Sequence, residues 1–132
     1  MKDSAGVVII QDNKILLGHP TGAAWIGTYS IPKGEIDEHE TPLEAAIRET
    51  KEEFGLNVYN CNIGHDDIIN YVKDDVVYKK VFYYIIYAQP DWFKIDQDKL
   101  QREEIDWAGF LTKEEASERI FWRLKDVLKY LK

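Results

Sequence analysis

The chain has 132 residues, 45% hydrophobic and 31% charged, a balance that suits one globular domain and excludes a membrane-spanning bundle, since no run approaches the roughly 20 apolar residues of a span. Its net charge of −7 opposes binding to a nucleic-acid backbone, where Lys and Arg must displace counterions, so the expected partner is a small molecule, with no membrane and no stably bound nucleic acid. The opening Met1-Lys2-Asp3-Ser4 passes into an apolar run too short for a secretory leader, and the lone Cys61 has no partner for a disulfide or zinc site, so a cytoplasmic protein with Cys61 in a packing role is expected.

Val7–Ile10 and Lys14–Leu17 are short β-type runs around Gln11-Asp12-Asn13 and predict a hairpin. Gly18–Gly27, broken by Pro20, Gly22 and Gly27, reads as a loop, and Tyr29-Ser30-Ile31 as a short strand ended by Pro32 and Gly34. Thr41-Pro42-Leu43-Glu44 is a helix start, with Thr41 as cap, Pro42 in the first helical position and Glu44 closing a capping box; Gly55 is the stop. Leu43, Ala46, Ile47, Thr50 and Phe54 recur at helical spacing as the buried stripe. Val58–Val72 and Val76–Ala88, rich in Val, Ile, Tyr and Phe, flank Lys73-Asp74-Asp75 as a long antiparallel pair. Ile105–Leu111 is a further strand, and Thr112-Lys113-Glu114-Glu115 caps a last helix with Ile120, Leu124, Val127, Leu128 and Leu131 inside. The order predicts one domain over residues 1–132, an α+β sandwich with a mixed sheet between helices.

The excess acid is concentrated in Glu35–Glu53. The bland explanation is a solvated helix face. Against it, Glu49, Glu52 and Glu53 fall on one side of the helix within an arc of about 100°, where like charges cost a few tenths of a kcal/mol per pair. Arg48, four residues from both Glu44 and Glu52, compensates only in part. Divalent cations would compensate fully: Mg²⁺ takes carboxylate and water oxygens and completes its shell with substrate phosphates. His19, His39 and His65 are scattered and read as surface or loop residues, so no triad competes.

At this point the segment is specific. Gly34, five residues, Glu40, seven residues, then Arg48-Glu49-Thr50-Lys51-Glu52-Glu53-Phe54-Gly55-Leu56 resembles the signature of the Nudix hydrolase family (MutT-like), with Thr50 as the one departure, where a bulky aliphatic is usual. The resemblance implies an α/β/α Nudix sandwich and a pyrophosphohydrolase using Mg²⁺, or Mn²⁺ in its place. It implies Glu49, Glu52 and Glu53 as metal ligands, with Gly34 at the metal site through a backbone that turns sharply. Arg48 would orient the carboxylates and Glu40 support the loop. A further carboxylate from outside the box falls on Glu104, with Glu103 as the near alternative, and the general base is Glu49 or Glu104.

Pro32-Lys33-Gly34, with Trp25 upstream, resembles the entry of Nudix enzymes acting on diadenosine polyphosphates or diphosphoinositol phosphates, which implies Lys33 at a phosphate. Tyr71 sits near where the dinucleoside polyphosphate branch carries a Tyr. Lys79, Lys80 and Tyr83 or Tyr84 follow on the next strand, so Lys33, Tyr71, Lys79 and Tyr83 are the expected substrate contacts, the aromatic rings stacking on bases. The expected reaction is hydrolysis of a dinucleoside polyphosphate such as diadenosine tetraphosphate. The alternatives are a (deoxy)nucleoside triphosphate pyrophosphohydrolase of the sanitising MutT type, removal of pyrophosphate from RNA 5′ ends, and a domain that only binds a nucleotide, which a broken metal helix would favour.

Overall fold

A computed structural model describes residues 2–132. Its elements are β1 (Ser4–Gln11), β2 (Lys14–Pro20), β3 (Lys33–Glu35), α1 (Pro42–Phe54), β4 (His65–Lys73), β5 (Val76–Ala88), β6 (Ile105–Leu111) and α2 (Lys113–Arg119), with 3₁₀ segments at Gln97–Lys99 and Trp122–Tyr130. One sheet runs β4-β5-β1-β2-β6, with β3 paired to β1 off that path. β1 and β5 are parallel while the other pairs are antiparallel, so the sheet is mixed, as expected.

β1 is buried along its whole length, which is why it reads as a continuous apolar run: both its faces are covered. Val8 and Ile10 join Ile15, Leu17 and Leu124 in the layer under α2 and the last 3₁₀ segment. Ala5, Val7 and Ile9 join Leu16 and Phe54 in the layer under α1. The alternation of side chains along a strand thus feeds two cores on opposite faces of the sheet.

α1 has both capping-box bonds between Thr41 and Glu44, and Gly55 closes it at φ 70°, a left-handed conformation that costs glycine little. Its buried residues are Ala45, Ala46, Thr50 and Phe54, so Ala45 joins the stripe while Leu43 and Ile47 lie at its half-buried margins. Thr50 is fully buried, and its hydroxyl donates to the Ala46 carbonyl at 2.7 Å. That bond satisfies the polar atom within the helix and lets Thr stand where an aliphatic is usual.

Several boundaries differ from the sequence reading. Gly18–Pro20 continues β2 instead of opening a loop, because β6 pairs with it; a Cβ on Gly18 would lie 2.6 Å from the Phe54 ring, so the glycine is there for close packing. Tyr29 and Ser30 form only isolated bridges, to Ile120 and Gly18, and the strand is Lys33–Glu35 instead. β4 starts at His65, and the Asn-rich stretch before it is irregular. The β4–β5 turn places Asp74 and Asp75 at φ 52° and 64°, as two-residue hairpins require. The last helix is split: Ile120 is extended (φ −70°, ψ 142°) and bridges to Tyr29, and the chain then resumes as a 3₁₀ segment. The apolar set is unaffected, since Ile120, Leu124, Val127, Leu128 and Leu131 are all buried.

Candidate active site

The site is built around α1 where it packs on β3. Arg48 donates through Nε and Nη2 to the two oxygens of Glu40, at 2.8 and 3.0 Å. Nη1 reaches Glu49 at 2.9 Å and Glu52 at 3.2 Å, and Nη2 also reaches the Glu35 carbonyl at 3.1 Å. One guanidinium therefore joins the loop before α1 to two carboxylates on it, a fork that a lysine cannot reproduce. The Glu40 bonds hold Glu40 below the usual carboxylate range and raise Arg48 further.

Glu49, Glu52, Glu53 and Glu104 line one cavity of about 490 Å³ together with Lys33, Gly34, Lys79 and Gln101. Glu53 is its innermost carboxylate: burial first, then the charge of Glu49, pushes its pKa up to about 8, against the Lys33 N–H that donates to it at 3.3 Å. Burial also raises Glu49, against the pull of Arg48. Gly34 lies within β3, opposite Ala5, and any Cβ on it would overlap the Glu49 carboxylate. The sharp turn expected there is absent, and Gly34 instead gives Glu49 room. Burial and the nearby Lys79 lower the pKa of Lys33.

A second cavity, of about 380 Å³, adjoins the first across Lys33 and Lys79 and is walled by Tyr71, Tyr78, Phe121 and Arg123. Tyr71 is at this wall but only 7% exposed, its ring against Tyr78 and Phe121 with the Arg123 guanidinium 5.1 Å from its centre. Sequence reading missed Tyr78, Phe121 and Arg123; the last two lie about 50 positions from Tyr71 in the sequence, on the segment after α2, and no local pattern joins them to it.

Tyr83 is not at either cavity. It is fully buried in the layer under α2, its hydroxyl 3.2 Å from that of Tyr130, because odd positions of β5 face that core. His19 also departs from expectation: it is 1% exposed, on β2, with Nδ1 2.5 Å from Asp106.

Among the described residues, no three His, Cys, Asp or Glu side chains are drawn together as a closed metal cage. The donor set nevertheless fits Mg²⁺ or Mn²⁺, which take few protein oxygens and leave room for water and phosphate. Five glutamates line the cavity, Glu35, Glu49, Glu52, Glu53 and Glu104, and Glu53 has Lys33 to set against the charges of Glu49 and Glu104. Glu49, Glu52, Glu53 and Glu104 would hold such an ion.

A family model described as the NUDIX domain matches residues 1–131. The 8-oxo-dGTP diphosphatase of Proteus vulgaris is 31% identical over 61 residues, 46% of this chain and 54% of that protein. Nudix hydrolase 10 of Arabidopsis thaliana is 30% identical over 111 residues, 80% of this chain and 36% of that protein; the chain thus spans only part of the length of each. In fold it is similar to a C. elegans Ap4A hydrolase binary complex (TM-score 0.76, 22% identity, 98% of this chain and 93% of that one). It is likewise similar to the E. coli dihydroneopterin triphosphate pyrophosphohydrolase (TM-score 0.70, 17% identity, 96% and 92%). With the family model covering residues 1–131, the chain belongs to the Nudix family.

Proposed function

We propose that the protein is a divalent-metal-dependent pyrophosphohydrolase that cleaves a diphosphate linkage in a dinucleoside polyphosphate such as diadenosine tetraphosphate. The observation that carries this is the contiguity of two unlike cavities, one of carboxylates and one of aromatic and cationic side chains, sharing Lys33 and Lys79. A polyphosphate would lie along the shared lysines with a base against the Tyr78 and Tyr71 wall, where stacking is worth about 1 to 3 kcal/mol per base.

When bound, Mg²⁺ would screen the diphosphate, polarise the attacked phosphorus and acidify a water. The protein's own contribution is orientation and proton transfer. Arg48 fixes Glu49 and Glu52, and Gly34 lets the Glu49 carboxylate approach β3. The Glu104 side chain makes no hydrogen bond or ion pair with the described residues, whereas the Glu49 carboxylate is held by Arg48; of the two candidate bases, Glu104 is the one whose carboxylate has no protein partner to give up before it takes the proton of the attacking water. Lys33 and Lys79 place positive charge where the bridging oxygens develop negative charge.

The alternative, a (deoxy)nucleoside triphosphate pyrophosphohydrolase of the sanitising type, is favoured by one observation: Arg123 already lies 5.1 and 5.4 Å from the Tyr71 and Tyr78 rings, so the wall has room for a single base. Chromatography of the products from a nucleotide panel with Mg²⁺ separates the two. Two mononucleotides from diadenosine tetraphosphate, at a higher kcat/KM than any triphosphate gives, are the expected result. Preferential release of pyrophosphate from a triphosphate would transfer the assignment to the alternative.

A further inference from the structure

Glu104 is the one candidate carboxylate that α1 does not carry, and it is exposed on an irregular stretch before β6. With no side-chain partner among the described residues, its direction is set by its backbone. That backbone is held from two sides. On the α1 side, the Gln101 N–H donates to the Glu53 carbonyl at 3.0 Å, and the Glu104 N–H donates back to Gln101 at 2.8 Å. On the other side, the Thr21 N–H donates to the Glu104 carbonyl at 3.0 Å, and the Thr21 hydroxyl donates to the Arg102 carbonyl at 2.7 Å.

Thr21 reaches this stretch because β2 stops in a defined way. The β2–β6 ladder shifts register between His19 and Pro20, and Pro20 has no N–H with which to continue it. The chain turns: Ala23 N–H donates to the Pro20 carbonyl at 3.0 Å, with Gly22 at φ 81° in the turn position that favours glycine. The turn is then pinned from beneath by His19, whose Nε2 lies 2.9 and 3.2 Å from the carbonyls of Ala23 and Ala24. Asp106 holds the other ring nitrogen from β6. Trp25 lies flat on the imidazole, 3.5 Å between centres and 1° between planes. A side chain that touches the turn, the strand after Glu104 and an aromatic cover at once leaves the turn little freedom to swing.

We infer that His19, Asp106 and Thr21 form a positioning unit for Glu104, acting through the Gln101–Glu104 backbone; this rests on the reading that Glu104 serves hydrolysis. None of the three touches the carboxylate cavity, so each is a positioning residue.

The experiment compares Thr21→Val, which loses the hydroxyl bond, with Thr21→Ser, which keeps it, in the wild-type and Glu104→Gln backgrounds. Thr21 is exposed, so both variants should fold. With diadenosine tetraphosphate and saturating Mg²⁺, Thr21→Val should lower kcat by about 10-fold, within the range for partners that orient a metal or catalytic group. KM should hold within about twofold, as for loss of an interaction made in the transition state. Thr21→Ser should retain wild-type kcat. In the Glu104→Gln background Thr21→Val should add nothing, because a unit that acts only through Glu104 has nothing left to orient. Calorimetric Mn²⁺ binding to the substrate-free protein should weaken in Thr21→Val and not in Thr21→Ser. His19→Phe keeps a ring for Trp25 to cover but loses both polar contacts, and it should repeat the Thr21→Val pattern. Wild-type kcat in Thr21→Val, or an equal loss with and without Glu104, overturns the inference while leaving the proposed reaction intact. Should the wild-type protein hydrolyse no dinucleotide, the reaction fails, and Mn²⁺ affinity decides the positioning role by itself.

Discussion

Replacing Glu53 by glutamine separates the stability of the empty site from its function. Burial and the neighbouring Glu49 push the folded pKa of Glu53 to about 8, from 4.5 for the free side chain. The folded pKa is the higher one, so the stability associated with this group is fully present below about pH 4.5 and is lost as pH rises through 8. At about 1.4 kcal/mol per pKa unit the upper bound is near 5 kcal/mol, and solvent at the cavity mouth reduces the expectation to about 2. Glutamine has the size of the protonated acid, keeps an oxygen for the Lys33 N–H, and never ionises. Glu53→Gln should therefore melt close to wild type at pH 5 and above it at pH 9, by roughly 5 to 10 °C without metal if about 2 kcal/mol is recovered. Added Mg²⁺ should narrow the gap, because the ion binds the carboxylate and not the amide. The same variant should lose more than about 100-fold in kcat, beyond the usual range for partners that only orient a ligand. Differential scanning fluorimetry at both pH values, with and without Mg²⁺, measures the effect. A gap independent of pH, or a wild type more stable than the variant at pH 9, would refute the account of Glu53 as a desolvated carboxylate beside the charge of Glu49.

EDTA should abolish turnover while the circular dichroism spectrum is retained, because the carboxylates line a cavity and do not hold the core together. Arg48→Lys preserves the charge but not the fork onto Glu40 and Glu49, so kcat should fall by about 10- to 100-fold with a smaller change in KM; an unchanged rate would show that the hub is ornamental to catalysis. Gly34→Ala should displace Glu49 and lower kcat, detectable in steady-state kinetics, while a wild-type rate would mean that Glu49 has room to move aside at no cost. Tyr71→Ala should lower thermal stability by about 3 kcal/mol, as expected for truncating a buried aromatic, and Tyr78→Ala should raise KM for diadenosine tetraphosphate without that loss.

The elements that read correctly from sequence are those whose signals are local. Thr41, Pro42, Glu44 and Gly55 define α1 at both ends within one stretch of chain, and Lys73-Asp74-Asp75 marks a turn whose flanking strands run straight into it. The elements that read poorly depend on partners elsewhere. Lys33-Gly34-Glu35 looks like a breaker, yet it is a strand because β1 offers Ser4, Ala5 and Gly6 to pair with it. Gly18-His19-Pro20 looks like a loop, yet β6 makes it a strand end. The last helix breaks at Ile120, an apolar residue with no helix-stopping character of its own, because Tyr29 on another segment pairs with it.

The candidate site divides in the same way. Glu49, Glu52 and Glu53 are legible because helical periodicity alone places them together. Glu104, Lys33 and Lys79 were assigned through resemblance, and the fold brings all three to the same cavity as the helix carboxylates. Tyr83 reads as a substrate contact from sequence, but what covers a strand position is set by distant segments: Tyr83 enters the core, while Lys79, four residues earlier, sits in the cavity. Lys79 and Tyr83 share one face of β5, since the ladder to β4 is unbroken from Lys79 to Ile85; Tyr83 lies under the segment after α2, with Tyr130 against its hydroxyl, while Lys79 lies nearer the start of the strand, at the cavities. The register shifts only between Tyr71 and Val72, which leaves Tyr78 as the extra residue on β5, and Tyr78 joins its chain neighbour Lys79 at the wall of the second cavity. A simple alternation carried through this strand pair sets Tyr78 on the face opposite Lys79, and the bulge is what brings the two to one wall.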